Sequence, residues 1–199
     1  MKFSSRYLVV HLLLIASVLG ACSGLNRSDE PANKTWWLQP YTGMVQMAFP
    51  TAILPVAVDV TVVPGLDTKR ILTLADNAQL NHYAAARWVD NTPELLTSLT
   101  SRTLLATGRF QVEPGRSMRR AEGCRLQLEV KEFFATITAS GQTTSVQVAA
   151  DGKYLCGPGS PIAITLGTAV PVADESMTGI VAAFQQALDE VMEDLLNQL

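Results

Sequence analysis

The end of the chain carries an apolar stripe that leaves little choice of architecture. Met177, Ile180, Val181, Phe184, Leu188, Val191, Met192, Leu195, Leu196 and Leu199 recur at spacings of three, one and four, while Asp189, Glu190, Glu193 and Asp194 stand opposite. That is the period of a long amphipathic helix, and Asp174 is placed to cap it. Such a helix is marginal in water by itself, so the stripe needs an apolar surface to lie on. The acidic side is then a solvated face or a docking surface.

Strands supply the surface. Leu54 to Val63 places apolar residues at nearly every other position, is rich in Val, and stops at Pro64-Gly65, which predicts a strand. Arg70 to Leu74 and Leu80 to Trp88 are weaker strand candidates. Asn91-Thr92-Pro93-Glu94 then combines a capping residue, a Pro at the helix start and an acid in the first turn, so a helix should run to about Thr107 with Leu95, Leu96, Leu99 and Ala106 on one side. Gly108 supplies its stop before a strand-like Arg109 to Val112. Cys124 to Thr138, Gln142 to Cys156 and Pro161 to Val172 read as three further extended segments. A strand-rich middle with two one-sided helices implies a single α/β domain, with α+β as the alternative: a mixed β-sheet covered by two main helices.

The first residues belong to something else. Met1 to Arg6 carry two positive charges and no negative one, and Tyr7 to Leu19 is apolar apart from His11 and Ser17. This is the architecture of a secretory signal, and the run is too short to span a bilayer core. It ends in Leu19-Gly20-Ala21-Cys22-Ser23, which resembles the lipobox of bacterial lipoproteins. In those proteins the Cys becomes the first residue and carries a diacylglyceryl and an N-acyl group, several chains being what stable anchoring requires. Their sorting rule retains a protein at the inner membrane when Asp follows the Cys; here Ser23 follows, so the periplasmic face of the outer membrane is the expected address. Residues 1–21 are read as signal peptide, 22–35 as a lipidated flexible tether of polar and turn-forming residues, and 36–199 as the folded domain.

An exported chain meets an oxidising space, and apart from Cys22 it has an even pair, Cys124 and Cys156. A hairpin turning at Ser140-Gly141 would set them across from each other as a disulfide. Asp151-Gly152 is a competing hairpin signal that would place Cys156 opposite Gln147 instead.

With 15 basic against 18 acidic residues among 199, the chain lacks the basic surplus by which nucleic-acid binders neutralise phosphates. It also lacks a G-x-S-x-G elbow, H-E-x-x-H, C-x-x-C or a phosphate-binding Gly-rich loop. His82 is the sole His beyond the signal segment and has no nucleophile turn near it. With Cys124 and Cys156 it could form only a zinc set without ligand spacing. No catalytic, cofactor or metal residue is therefore expected.

Several motifs in fixed order resemble one family. Thr35-Trp36-Trp37-Leu38-Gln39-Pro40 follows the lipobox-like segment; Val63-Pro64-Gly65-Leu66-Asp67 precedes Arg70-Ile71; Ala86-Arg87-Trp88-Val89-Asp90 leads into Pro93-Glu94-Leu95-Leu96 and Thr107-Gly108-Arg109-Phe110. With Ile180 to Phe184, Ala187-Leu188 and Asp194-Leu195-Leu196 near the end, the chain is similar to the auxiliary lipoproteins of ABC-type transport systems, the PqiC-like group. It departs from the family pattern at Trp36-Trp37, where Tyr is usual, in its Cys pair, and over residues 140–172.

The resemblance implies a non-enzymatic outer-membrane component that works with an MCE-domain periplasmic protein and its permease and ATPase, moving lipid between membranes. Expected partners are that MCE protein, outer-membrane lipid and further copies of the chain. The alternatives are a free-standing lipoprotein that binds a hydrophobic ligand, or an envelope-assembly lipoprotein. Trp36, Trp37, Arg87 and Trp88 form the candidate partner interface, since large aromatics and Arg are enriched at interface hot spots; a core role is the competing reading of the tryptophans.

Overall fold

The computed structural model describes residues 33–43, 53–76, 78–113 and 123–199; the signal segment, Cys22 and most of the expected tether lie outside the described residues. Those residues form β1 (Lys34–Trp36), β2 (Leu54–Val62), a 3₁₀ turn (Pro64–Leu66), β3 (Arg70–Ala75), β4 (Leu80–Trp88), α1 (Thr92–Ala106), β5 (Phe110–Glu113), β6 (Cys124–Ile137), β7 (Thr143–Cys156), β8 (Ile162–Pro171) and α2 (Met177–Gln198). The eight strands make one mixed sheet. β1 takes in Lys34 and Thr35, two residues that the sequence assigns to the tether.

The long strand β6 organises this sheet. One of its edges pairs antiparallel with β7 along its length, and β7 in turn pairs with β8. The other edge is shared by two parallel strands: β2 lies along Cys124 to Val130 and β3 along Ala135 to Ile137. The Pro64-Gly65 turn lets the chain step from one to the other. β5 flanks β2, β4 flanks β3, and β1 flanks β4.

Val58, Leu126 and Tyr154 are in register across β2, β6 and β7, as are Val60 with Leu128 and Ala150 with Leu166, and all are buried. Strand positions alternate between faces, so these residues share one face, against which α1 and α2 pack. Asp59, Gln127, Glu129, Lys153 and Thr165 occupy the other face, which is open.

The β6–β7 hairpin turns at Ser140-Gly141, where Gly141 has a φ of 84°, and not at Asp151-Gly152. Gly152 lies inside β7, opposite Leu128, and a Cβ there would run into the Gln127 carbonyl oxygen and the Leu128 side chain. The glycine that signals a turn is thus explained by a close approach of two strands. Gly152→Ala should destabilise the domain by about 1–3 kcal/mol through overpacking, read as a lower urea midpoint; a midpoint equal to that of the parent chain would contradict the close approach.

A register shift after Val130 leaves Lys131 as an extra residue and moves the inward set from Leu126, Leu128 and Val130 to Phe133 and Ala135. Phe133 thereby meets Trp88 of β4 and Phe184 of α2, with ring centroids 5.7 Å and 5.1 Å away, and Trp88 and Phe184 are 5.1 Å apart. This aromatic trio is the centre of the core.

Both helix starts differ in detail from expectation. At α2 the cap is Ser176, whose hydroxyl accepts from the Gly179 N–H at 3.2 Å. Asp174 instead accepts from the Ser176 N–H and hydroxyl and so positions the cap. At α1 Asn91 occupies the cap position without a side-chain capping bond. Thr92 is buried and uses its hydroxyl to donate to the Thr68 carbonyl at 3.0 Å, tying the helix to the segment before β3. Gly108 stops α1 with a φ of 68°.

Candidate functional site

Sequence positions that lie far apart meet where β1 joins the sheet. β1 runs parallel to β4 with Thr35 opposite Arg87 and Trp36 opposite Trp88, so three of the four candidate interface residues gather at one strand pair and Trp37 directly follows it. The two-residue period of a strand then divides them. Trp36 and Trp88 point to the helix side, Arg87 to the open side.

Trp88 is 1% exposed, which corrects its place in the partner interface: it is a core residue. Trp36 is partly buried and packs against the core, and its indole N–H has no hydrogen-bond partner among the described residues. Trp37 is 56% exposed, between the partly buried Trp36 and a fully buried Leu38. Of the expected interface, Trp37 and Arg87 are the residues that a partner can reach.

The open side of this edge is cationic. Arg87 stands directly across from Arg70 of β3, both are exposed, and Arg87 Nε donates to Thr35 Oγ1 at 3.3 Å. Arg70 Nη1 donates to His82 Nε2 at 2.8 Å. Neighbouring Lys69 is committed to Asp90 at 3.1 Å, which holds the Asp90 carboxyl below its ordinary pKa, together with the Asn91 N–H. Sequence reasoning missed Arg70 and His82 here, because the meeting of Arg70 with Arg87 and with His82 depends on the β3–β4 register.

Beyond Trp37 the chain crosses both helices as a strap. The Gln39 N–H donates to Gln185 Oε1 at 2.7 Å, and Gln185 Nε2 returns a bond to the Gln39 carbonyl at 3.1 Å. The Tyr41 N–H donates to Thr103 Oγ1 of α1 at 3.1 Å. Burial, then the charge of and a hydrogen bond to Glu193, push the Tyr41 phenol above its ordinary pKa. The acidic side of α2 is thus partly used within the fold: Asp189 accepts from Gln185, and Glu190 accepts from Thr168 and Gln186. Trp36 in, Trp37 out and Leu38 in alternate along this segment, although all three are apolar and the sequence shows no alternation there.

The chemistry that these groups offer is binding. Cys124 and Cys156 are joined as a disulfide, which removes two of the three ligands of the zinc alternative. Among the described residues no three His, Cys, Asp or Glu side chains cluster as a metal set. What remains is a pair of guanidiniums, suited to phosphate or carboxylate oxygens, beside an indole with an apolar body and a polar N–H.

A family model for the ABC-type transport auxiliary lipoprotein component matches residues 43–195. The fold is similar to that of a protein from Xanthomonas campestris assigned to DUF330, with a TM-score of 0.64 at 18% identity over 83% of this chain and 92% of that one. It is also similar to the crystal structure of an uncharacterized protein, with a TM-score of 0.63 at 12% identity over 84% and 99% of the two chains. No curated protein matches.

Proposed function

Because the chain belongs to the ABC-type transport auxiliary lipoprotein family, we propose that it is the outer-membrane lipoprotein subunit of an ABC/MCE-type system moving lipid between membranes. Residues 1–21 are removed, Cys22 carries the acyl chains, and the tether up to residue 33 holds the domain at the periplasmic face. The domain acts without catalysis, as a docking or conduit component for an MCE-domain protein, and self-associates. The family match over residues 43–195 carries this reading. The lipobox-like Cys22 and the lack, among the described residues, of a helix long and apolar enough to cross a membrane support it.

Cys22→Ala should move the protein from the membrane to the soluble fraction with its fold unchanged, and the parent chain should show the added acyl mass. Unchanged fractionation without acyl mass would defeat the anchor. Affinity purification of the lipidated chain should recover an MCE protein with its permease and ATPase. A monomer that emerges without them but with bound lipid would replace this reading with a free-standing lipid-binding lipoprotein.

A further inference from the structure

We propose that the open face at the β1 edge, formed by Trp37, Arg87 and Arg70, is a contact for the anionic phospholipid surface to which the chain is attached. This rests on the reading that Cys22 is acylated.

Three observations converge on it. First, Trp37 is exposed although its neighbours are fixed. The Val89 N–H donates to the Trp36 carbonyl at 3.1 Å, Leu38 is fully buried, and Gln39 is held twice by Gln185. The indole is therefore presented on a rigid segment, and internal packing leaves it more than half exposed. An amphipathic ring of this kind is at home at the headgroup level of a bilayer.

Second, Arg70 and Arg87 are directly opposite on adjacent strands. Like charges in that relation destabilise a sheet, and the partners the two have within the fold, His82 for Arg70 and Thr35 for Arg87, supply no negative charge to offset it. An anion between them reverses the sign, and guanidinium forks match phosphate oxygens. Asp90 is already held by Lys69, and Asp67 lies in the turn before β3.

Third, the tether ends here. Residues 23–33 separate Cys22 from β1, a reach of at most about 36–40 Å. A domain of this size has a radius of gyration of about 15 Å, so its breadth is comparable with that limit. The end where the tether enters is the end held toward the bilayer. Phosphate oxygens and an interfacial depth for the indole are both offered by a lipid surface, whereas an acidic protein would offer carboxylates to the arginines and no such interface to the indole.

The test uses the processed, acylated chain in vesicles of phosphatidylethanolamine and phosphatidylglycerol, with brominated acyl chains as the quencher of tryptophan emission. Bromolipid should quench the exposed tryptophan, and Trp37→Phe should abolish the quenching. Arg70→Gln with Arg87→Gln should weaken it, as should replacing phosphatidylglycerol by phosphatidylcholine. If the chain floats with the vesicles while Trp37 stays open to aqueous acrylamide and is untouched by bromine, the contact is overturned and the anchor stands. If Trp37 becomes protected only when the transport partner is added, the face binds protein and the proposal fails. A chain that does not float overturns the anchor and this proposal together.

Discussion

Trp88→Ala is expected to lower stability by about 3–5 kcal/mol, the range for deleting a buried large aromatic. The side chain is 1% exposed and sits 5.1 Å from Phe184 and 5.7 Å from Phe133, so one substitution empties a site shared by β4, β6 and α2. Aromatic pairs add about 0.5–1.5 kcal/mol beyond area burial, which places the loss toward the upper end. Against a total stability of about 5–15 kcal/mol this is a third or more. The melting temperature should fall by roughly 10 °C or more at about 2–4 °C per kcal/mol for a chain of this length. Trp37→Ala is the control. It removes an exposed ring and should stay within about 0.5 kcal/mol. Circular dichroism melts of the two variants decide the matter, and equal melting temperatures would remove Trp88 from the core and return it to the surface.

That pair of variants also marks how far the sequence could be read. Trp36, Arg87 and Trp88 are brought to one strand pair, with Trp37 just after it, but which of them face outward depends on a feature that the sequence does not announce. In β4, Leu80, His82 and Ala84 are exposed, and simple alternation would carry Trp88 outward with them. Ala85 instead adopts a φ of 56°, a left-handed conformation that only glycine would have signalled. The parity flips there and Trp88 turns inward. The extra Lys131 in β6 does the same for Phe133. Local signals were legible: the stripe of α2, the stop at Gly108, and the alternation of β2 and β6. The parallel pairing of β2 and β3 along β6 was not, because parallel partners are distant in sequence and no turn residue records their register. Arg70 and His82 meet across the antiparallel β3–β4 pair, where the register shift between Arg70 and Leu72 hides the pairing from the sequence.

The hairpin was the exception, and its disulfide gives the second large effect. Cys124 and Cys156 are direct cross-strand neighbours at the open end of β6 and β7, while Gly141 closes the other end. The bond restrains a loop with a sequence separation of 32, worth about 3.5–4 kcal/mol in the chain-entropy model. Cys124 also pairs with Val56 of β2 and is buried, so the bridged end is the one against which β2 is laid. Replacing both cysteines by alanine should therefore lower the urea midpoint by an amount equivalent to about 3–4 kcal/mol. The slope m should rise, since an unbridged chain exposes more surface on unfolding. Added reductant should do the same to the parent chain and nothing to the double variant. Hydrogen exchange should quicken first at Arg125 to Leu128 and at Lys153 to Leu155, while Phe134 to Ser145 stays protected. The hairpin itself should persist, because its register is also set by the turn at Gly141 and by the close approach at Gly152. A double variant with the parent midpoint and slope would show that those glycines hold the two strands without the bridge.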